Sequence, residues 1–139
     1  GLGGGLPIGA CLMGKRVQDT LGYGDHGSTF GGNPVCCAGA LSILSRIDDA
    51  LLELVGKKAV YLRDRFQGAD GIESVSGLGL MMGLKTTRPA AQVVSDCRDQ
   101  GVLCLTAKDK VRLLPPLNIS FEDLAETADV ILAAAARPC

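Results

Sequence analysis

The sequence predicts an α+β layer with helices on one face of a small sheet, and three observations carry that prediction. From residue 48 onward the pattern runs helix, two strand-length apolar runs, helix, two short strands, helix. No internal repeat or low-complexity linker interrupts it. The composition, 139 residues with 47% hydrophobic and 21% charged, suits a chain that buries a core. Glycine is enriched at 19 residues and aromatics are only 4%, which predicts tight turns and aliphatic packing.

The elements follow in chain order. Gly1-Leu2-Gly3-Gly4-Gly5 is too flexible for regular structure, and the apolar run 6–13, closed by Gly14 and Lys15-Arg16, is expected as a buried strand. Next comes a glycine-dense loop, Gly24-Asp25-His26-Gly27-Ser28-Thr29-Phe30-Gly31-Gly32-Asn33-Pro34. Its glycines let a backbone approach a ligand closely, Ser28 and Thr29 add hydroxyls, and the following helix turns the positive end of its dipole toward it. A phosphate or carboxylate would be stabilised there. The plainer alternative is a surface turn whose glycines serve geometry alone. Asn33 fits the helix N-cap and Pro34 the first helical position. The helix over 35–47 is apolar on almost every face and is expected to be buried on most sides.

After Asp48-Asp49, two acids read as cap and dipole complement, the pattern turns amphipathic. Leu51, Val55, Ala59, Leu62 and Phe66 share a stripe that Glu53, Lys57, Lys58, Arg63 and Asp64 leave. Runs 72–76 and 78–84 read as strands bent at Gly77, with Gly79 and Gly83 expected in close backbone contact. Pro89 opens a helix with Ala90, Val93, Val94 and Cys97 inward and Gly101 as its C′ glycine. Runs 102–105 and 111–114 are short strands around the turn Lys108-Asp109-Lys110, and Pro115-Pro116 ends the second. The last helix starts at Ser120 as N-cap, with Asp123 three residues on, Ile119 stapled to Leu124, and a buried face of Leu124, Ala128, Ile131, Leu132 and Ala135.

A net charge of −1 with scattered basic residues argues against nucleic acid or acidic lipid as partners. The longest apolar stretch, 130–136, is far short of the ~20 residues of a membrane helix. Six cysteines are dispersed apart from adjacent Cys36 and Cys37, so free thiols and a cytoplasmic location are expected. A single histidine and no C-x-x-C pair leave a zinc site little support. His26 is expected to fix its loop by a hydrogen bond. The lysines at 15, 57, 58, 85, 108 and 110 are read in turns or on polar faces, and Met81 and Met82 as packing. A first residue that is glycine points to a piece of a longer chain.

Five blocks occur together: Gly1-Leu2-Gly3-Gly4-Gly5-Leu6-Pro7-Ile8-Gly9-Ala10, the loop 24–34, Gly77-Leu78-Gly79-Leu80-Met81-Met82-Gly83, Gly101-Val102-Leu103-Cys104-Leu105-Thr106-Ala107, and Val111-Arg112-Leu113-Leu114-Pro115-Pro116-Leu117. In this order they resemble the carboxy-terminal third of the class III aminotransferases, in particular members acting on N-acetylornithine. The resemblance implies pyridoxal 5'-phosphate (PLP) as cofactor and a fold-type I architecture. Residues 1–48 would end the large PLP-binding domain, and 49–139 would form the small domain, with its mainly antiparallel sheet. It places the lysine that forms the Schiff base just before Gly1, so no catalytic residue lies in this chain and the piece alone should be inactive.

By the same resemblance Thr29 reaches the cofactor phosphate of a neighbouring subunit in a homodimer. Ser28 lies at the substrate, and Arg112 binds the α-carboxylate of the amino-acid or keto-acid substrate. The implied reaction moves the amino group of N-acetylornithine to 2-oxoglutarate in arginine biosynthesis. Ornithine, succinylornithine or 4-aminobutyrate as donor, and a non-catalytic module binding phosphate or a protein partner, stand as alternatives.

Overall fold

A computed structural model describes residues 1–138; Cys139, one of the six cysteines, lies outside the described residues. The chain divides into two compact units, Gly1–Asp48 and Asp49–Cys139.

The first unit holds one helix, α1 (Pro34–Leu44). Asn33 caps it, its Oδ1 accepting from the N–H groups of Val35 at 3.0 Å and Cys36 at 3.3 Å. Pro34 takes the first helical position, where a missing N–H loses no bond. Two expectations fail here. Residues 6–13 form no strand and stay largely exposed, Leu12 at 97%, because no strand of the unit pairs with them and an unpaired run has no ladder to join. The helix stops at Leu44, and Ala40 is its only buried residue, with Val35, Leu41 and Leu44 exposed. An all-round apolar helix needs a covering surface on every side, and the unit supplies almost none.

The second unit carries α2 (Asp49–Phe66), β1 (Ile72–Leu78), β2 (Met81–Thr86), α3 (Ala90–Asp99), β3 (Leu105–Ala107), β4 (Lys110–Leu113) and α4 (Phe121–Ala135). Its sheet is antiparallel throughout in the order β1-β2-β4-β3. The α+β class expected from the pattern is the observed one. Strand alternation sorts the two faces: Met82, Leu84, Val111 and Leu113 are buried, and the residues between them are not. The buried face shares one core with Leu62 and Phe66 of α2, Val93 and Cys97 of α3, and Leu124, Ala128 and Ile131 of α4.

Local chemistry sets the ends. Ser120 caps α4, its Oγ accepting from the Asp123 N–H at 2.9 Å and donating to the Asp123 carboxylate at 2.8 Å. Helix α3 closes with the Val102 N–H on the Cys97 carbonyl at 2.9 Å and the Gly101 N–H on that of Arg98 at 3.0 Å, Gly101 taking φ +84°. This turn consumes residues expected as strand, so β3 begins at Leu105, three residues later than the apolar run suggested.

The first hairpin also differs from expectation. Its turn lies at Gly79-Leu80 and not at Gly77, which stays within β1 at φ +121°. A Cβ at Gly77 would stand 2.1 Å from the Met81 carbonyl oxygen, so the close backbone approach falls there. Gly79 meets only Val55, at 3.7 Å, and Gly83 meets the side chains of Lys110 and Ser76.

Lys58 does not join the polar face of α2: it is 4% exposed. It stands four residues before Leu62 and eight before Phe66, on their stripe. Its ammonium donates to the Leu117 carbonyl at 3.2 Å and lies 5.9 Å from the centre of the Phe121 ring. The stem packs while the charge finds a partner. Lys110, expected in the turn 108–110, is the first residue of β4, and Lys85 lies in β2 on the polar face of the sheet.

Candidate functional site

The glycine loop is held from within its own unit. The Gly31 N–H reaches the Ser28 carbonyl at 3.2 Å and the Asn33 N–H reaches that of Phe30 at 3.3 Å, so Ser28 to Gly31 make a turn with Thr29 and Phe30 at its tip. A Cβ at Gly31 would come within 2.9 Å of the Ser28 Cβ, which ties the glycine to this turn. Ser28 and Thr29 are exposed side by side, just ahead of the N-terminus of α1, where two hydroxyls and a positive dipole end suit an anion. His26 is exposed, and no hydrogen bond holds it, contrary to expectation. Asp25 does that work, accepting the Gly22 N–H at 2.7 Å. Asx side chains reach nearby amides at low cost, and Asp25 stands beside His26 in the loop.

Arg112 belongs to the second unit, on the sheet face opposite the core. Register places it across from Gly83 on β2 and Leu105 on β3. Lys110 lies two residues before it and Ser76 one strand further, and the Lys110 ammonium donates to the Ser76 hydroxyl at 2.8 Å. Ser76, Gly83, Lys110 and Arg112 line a concavity of about 200 Å³. Lys85 shares this face but is paired with Asp109 at 2.5 Å, a bond that raises the lysine's pKa and lowers the aspartate's.

Two arginines separate structural from ligand-ready chemistry. Arg88 donates to Asp96 at 2.8 Å and to the Ala134 carbonyl at 2.5 Å, joining the approach to α3 with the end of α4. The Nε of each arginine is buried without a partner, but the Arg112 side chain makes no ion pair or hydrogen bond at all among the described residues, whereas Arg88 is held through its terminal nitrogen. A buried guanidinium N–H facing no acceptor is costly unless an acceptor arrives, and a carboxylate matches the two-donor edge.

The loop's hydroxyls and the start of α1 are donors of the kind a phosphate group accepts from. Lys57, Lys58, Lys85 and Lys110 are engaged by Glu53, Leu117, Asp109 and Ser76, and Lys15 and Lys108 are exposed in turns. Among the described residues no cluster of three metal-ligating side chains occurs, and no helix is long and apolar enough to cross a membrane.

Residues 1–135 match the family model for class-III aminotransferases. The chain is 48% identical over 133 residues to the acetylornithine aminotransferase of Haemophilus ducreyi, covering 94% of this chain and 34% of that protein. Among solved structures it resembles the N-acetylornithine aminotransferase of Stenotrophomonas maltophilia, with TM-score 0.69 and 31% identity over 76% of this chain and 32% of the other. An ornithine aminotransferase of Toxoplasma gondii, described with PLP at its active site, gives TM-score 0.72 and 28% identity over 87% of this chain and 31% of its own. The chain spans about a third of the length of the curated relatives it matches.

Proposed function

The chain belongs to the class III aminotransferases, and from that premise we infer that it is the carboxy-terminal part of a PLP enzyme moving the amino group of N-acetylornithine to 2-oxoglutarate. The observation that carries this reading is Arg112, whose guanidinium no described residue engages and which lines a concavity beside Lys110. The likeness to acetylornithine aminotransferases supports the choice of donor. Ornithine is the alternative, favoured by the likeness to the Toxoplasma enzyme.

In this reading residues 1–48 close the large domain and 49–139 form the small domain of a cytoplasmic homodimer serving arginine biosynthesis. Thr29 would hold the cofactor phosphate of the neighbouring subunit through its hydroxyl, and Ser28 would border the substrate. Arg112 grips the α-carboxylate with its planar fork, orienting the Cα substituents for proton removal. PLP, when bound, supplies the electron sink for that step. The 139-residue chain alone should give no turnover with PLP, glutamate and a keto acid.

The test is Arg112→Lys in the full-length enzyme. Catalytic efficiency toward glutamate and 2-oxoglutarate should fall by roughly one to three powers of ten, about 1.4–4 kcal/mol of transition-state stabilisation, with Tm nearly unchanged. Normal kinetics with a lowered Tm would make Arg112 a structural residue. Thr29→Val should weaken PLP retention by roughly 1.5–3 kcal/mol, the worth of one hydrogen bond to a charged acceptor, and excess cofactor should repair it.

A further inference from the structure

The connection that leaves β4 just beyond Arg112 lies over a void. Leu114, Pro115, Pro116 and Ile119 line a cavity of about 280 Å³, with Phe66 and Ile131 among its other walls. Atoms that face a void have no packing partners on that side, so close contact does not fix the path of this connection. Its two ends are held instead. At one, β4 pairs with β2 and β3, setting Arg112 across from Gly83 and Leu105. At the other, the Ile119 N–H closes a turn on the Pro116 carbonyl at 3.0 Å, and the carbonyl of Leu117 in that turn accepts from the Lys58 ammonium at 3.2 Å.

We propose that Lys58 is a positioning residue for Arg112: by holding the Leu117 carbonyl it fixes the far end of the connection, and the stiff stretch between them passes that constraint back to the arginine. The proposal rests on the reading of Arg112 as the group that grips a substrate carboxylate. Stiffness follows from the sequence. Each proline locks its own φ, and a residue ahead of a proline is confined to extended backbone, so Leu114, Pro115 and Pro116, all the residues between the end of β4 and Leu117, are restricted. Arg112 depends on this support because no described residue engages its guanidinium, which leaves its aim to the backbone that carries it.

The anchor is itself well fixed. Lys58 is buried on α2, and its ammonium lies over the ring of Phe121, the first residue of α4, at 5.9 Å from the centroid. Tyr61, three residues further along α2, meets the same ring edge-on with the planes at 79°. One buried cation thus joins α2, the turn at Leu117 and the start of α4. Taking an ammonium out of water is costly, and a methionine stem would fill the same space without that cost. What the charge adds is a directed bond to one carbonyl. A two-donor fork tolerates little misalignment with a carboxylate, so a small drift of the β4 end would show in substrate binding.

The test is a double-mutant cycle in the full-length enzyme. Lys58→Met keeps the stem and removes the donor; KM for glutamate and 2-oxoglutarate should rise by roughly three- to tenfold, the worth of one hydrogen bond, with a smaller change in kcat. Lys58→Arg, which retains a donor and a cation for the ring, should stay near wild type. Added to Arg112→Lys, the Lys58→Met change should raise KM little further, because the fork that it positions is already gone. An equal rise in both backgrounds overturns the proposal, and so does a lowered Tm with KM unchanged. Normal kinetics of Arg112→Lys would remove the carboxylate reading and this proposal with it, whereas a defect in Arg112→Lys without one in Lys58→Met removes this proposal alone. If Lys58→Met does not fold, Phe121→Leu takes the ring from the ammonium: it should raise KM in the wild-type background and not in Arg112→Lys, and no rise in either overturns the proposal.

Discussion

The two units use apolar residues in opposite ways. In the second, the stripes of α2, α3 and α4 and one face of the sheet close on each other, and the core runs unbroken from Leu62 to Ala135. In the first, α1 carries as many apolar residues per turn, yet Ala40 alone is buried among the hydrophobic side chains, and Phe30, Leu12 and Tyr23 stand almost fully exposed. The difference teaches that hydrophobic content does not make a core. A core requires apolar surfaces of matching period on several elements, as the four strands and three helices of the second unit provide.

Cutting between Asp48 and Asp49 is the bluntest way to break the comparison. Residues 49–139 alone should keep a cooperative thermal transition and protected amides, and residues 1–48 alone should show neither. A cooperative melt of the short piece, or loss of the transition in the long one, would contradict the contrast.

Point substitutions sharpen it. Phe66→Ala empties a fully buried site of the second unit and should cost about 3–5 kcal/mol, read as a shift of the urea midpoint. Leu41→Ala on α1, 68% exposed, should stay within about 0.5 kcal/mol. Equal effects would mean that α1 is covered in solution. Gly77→Ala forces a Cβ onto the Met81 carbonyl at a left-handed φ and should cost on the order of 1–3 kcal/mol, with Gly27→Ala in the open loop as the neutral control.

The smallest effect is electrostatic. The Arg88 hydrogen bond, with Arg137 nearby, holds the Asp96 carboxyl below the usual carboxylate range. A depressed folded-state pKa contributes stability that is present above the unfolded value and is lost as pH falls through the folded one, so the pair should matter near neutrality and fade below about pH 4. Comparing Arg88→Met with wild type in an acid titration should show curves that converge at low pH. A constant gap down to pH 2 would assign Arg88's contribution to its bond with the Ala134 carbonyl instead.

Much of the second unit was legible residue by residue. Ser120 and Asp123 announced a cap that forms, and Gly101 announced the end of α3, because capping is decided by a few adjacent groups. Strand alternation at Met82, Leu84, Val111 and Leu113 likewise follows from period alone. Harder to read was anything that depends on a distant neighbour. Lys58 looked like a polar-face residue until the Leu117 carbonyl supplied an acceptor 59 positions away.

At the candidate site, the sequence alone determined the turn of Ser28 and Thr29 ahead of Asn33 and Pro34, and the place of Arg112 on a short apolar strand. Tertiary structure decided the rest. Pairing of β4 with β2 placed Gly83 beside Arg112, and packing left the arginine's Nε buried with no protein acceptor. It also left 6–13 without a strand to pair with. Caps and periods are written in neighbouring residues. Hydrogen-bond partners and burial are supplied by segments far along the chain, and no local pattern encodes which of them will arrive.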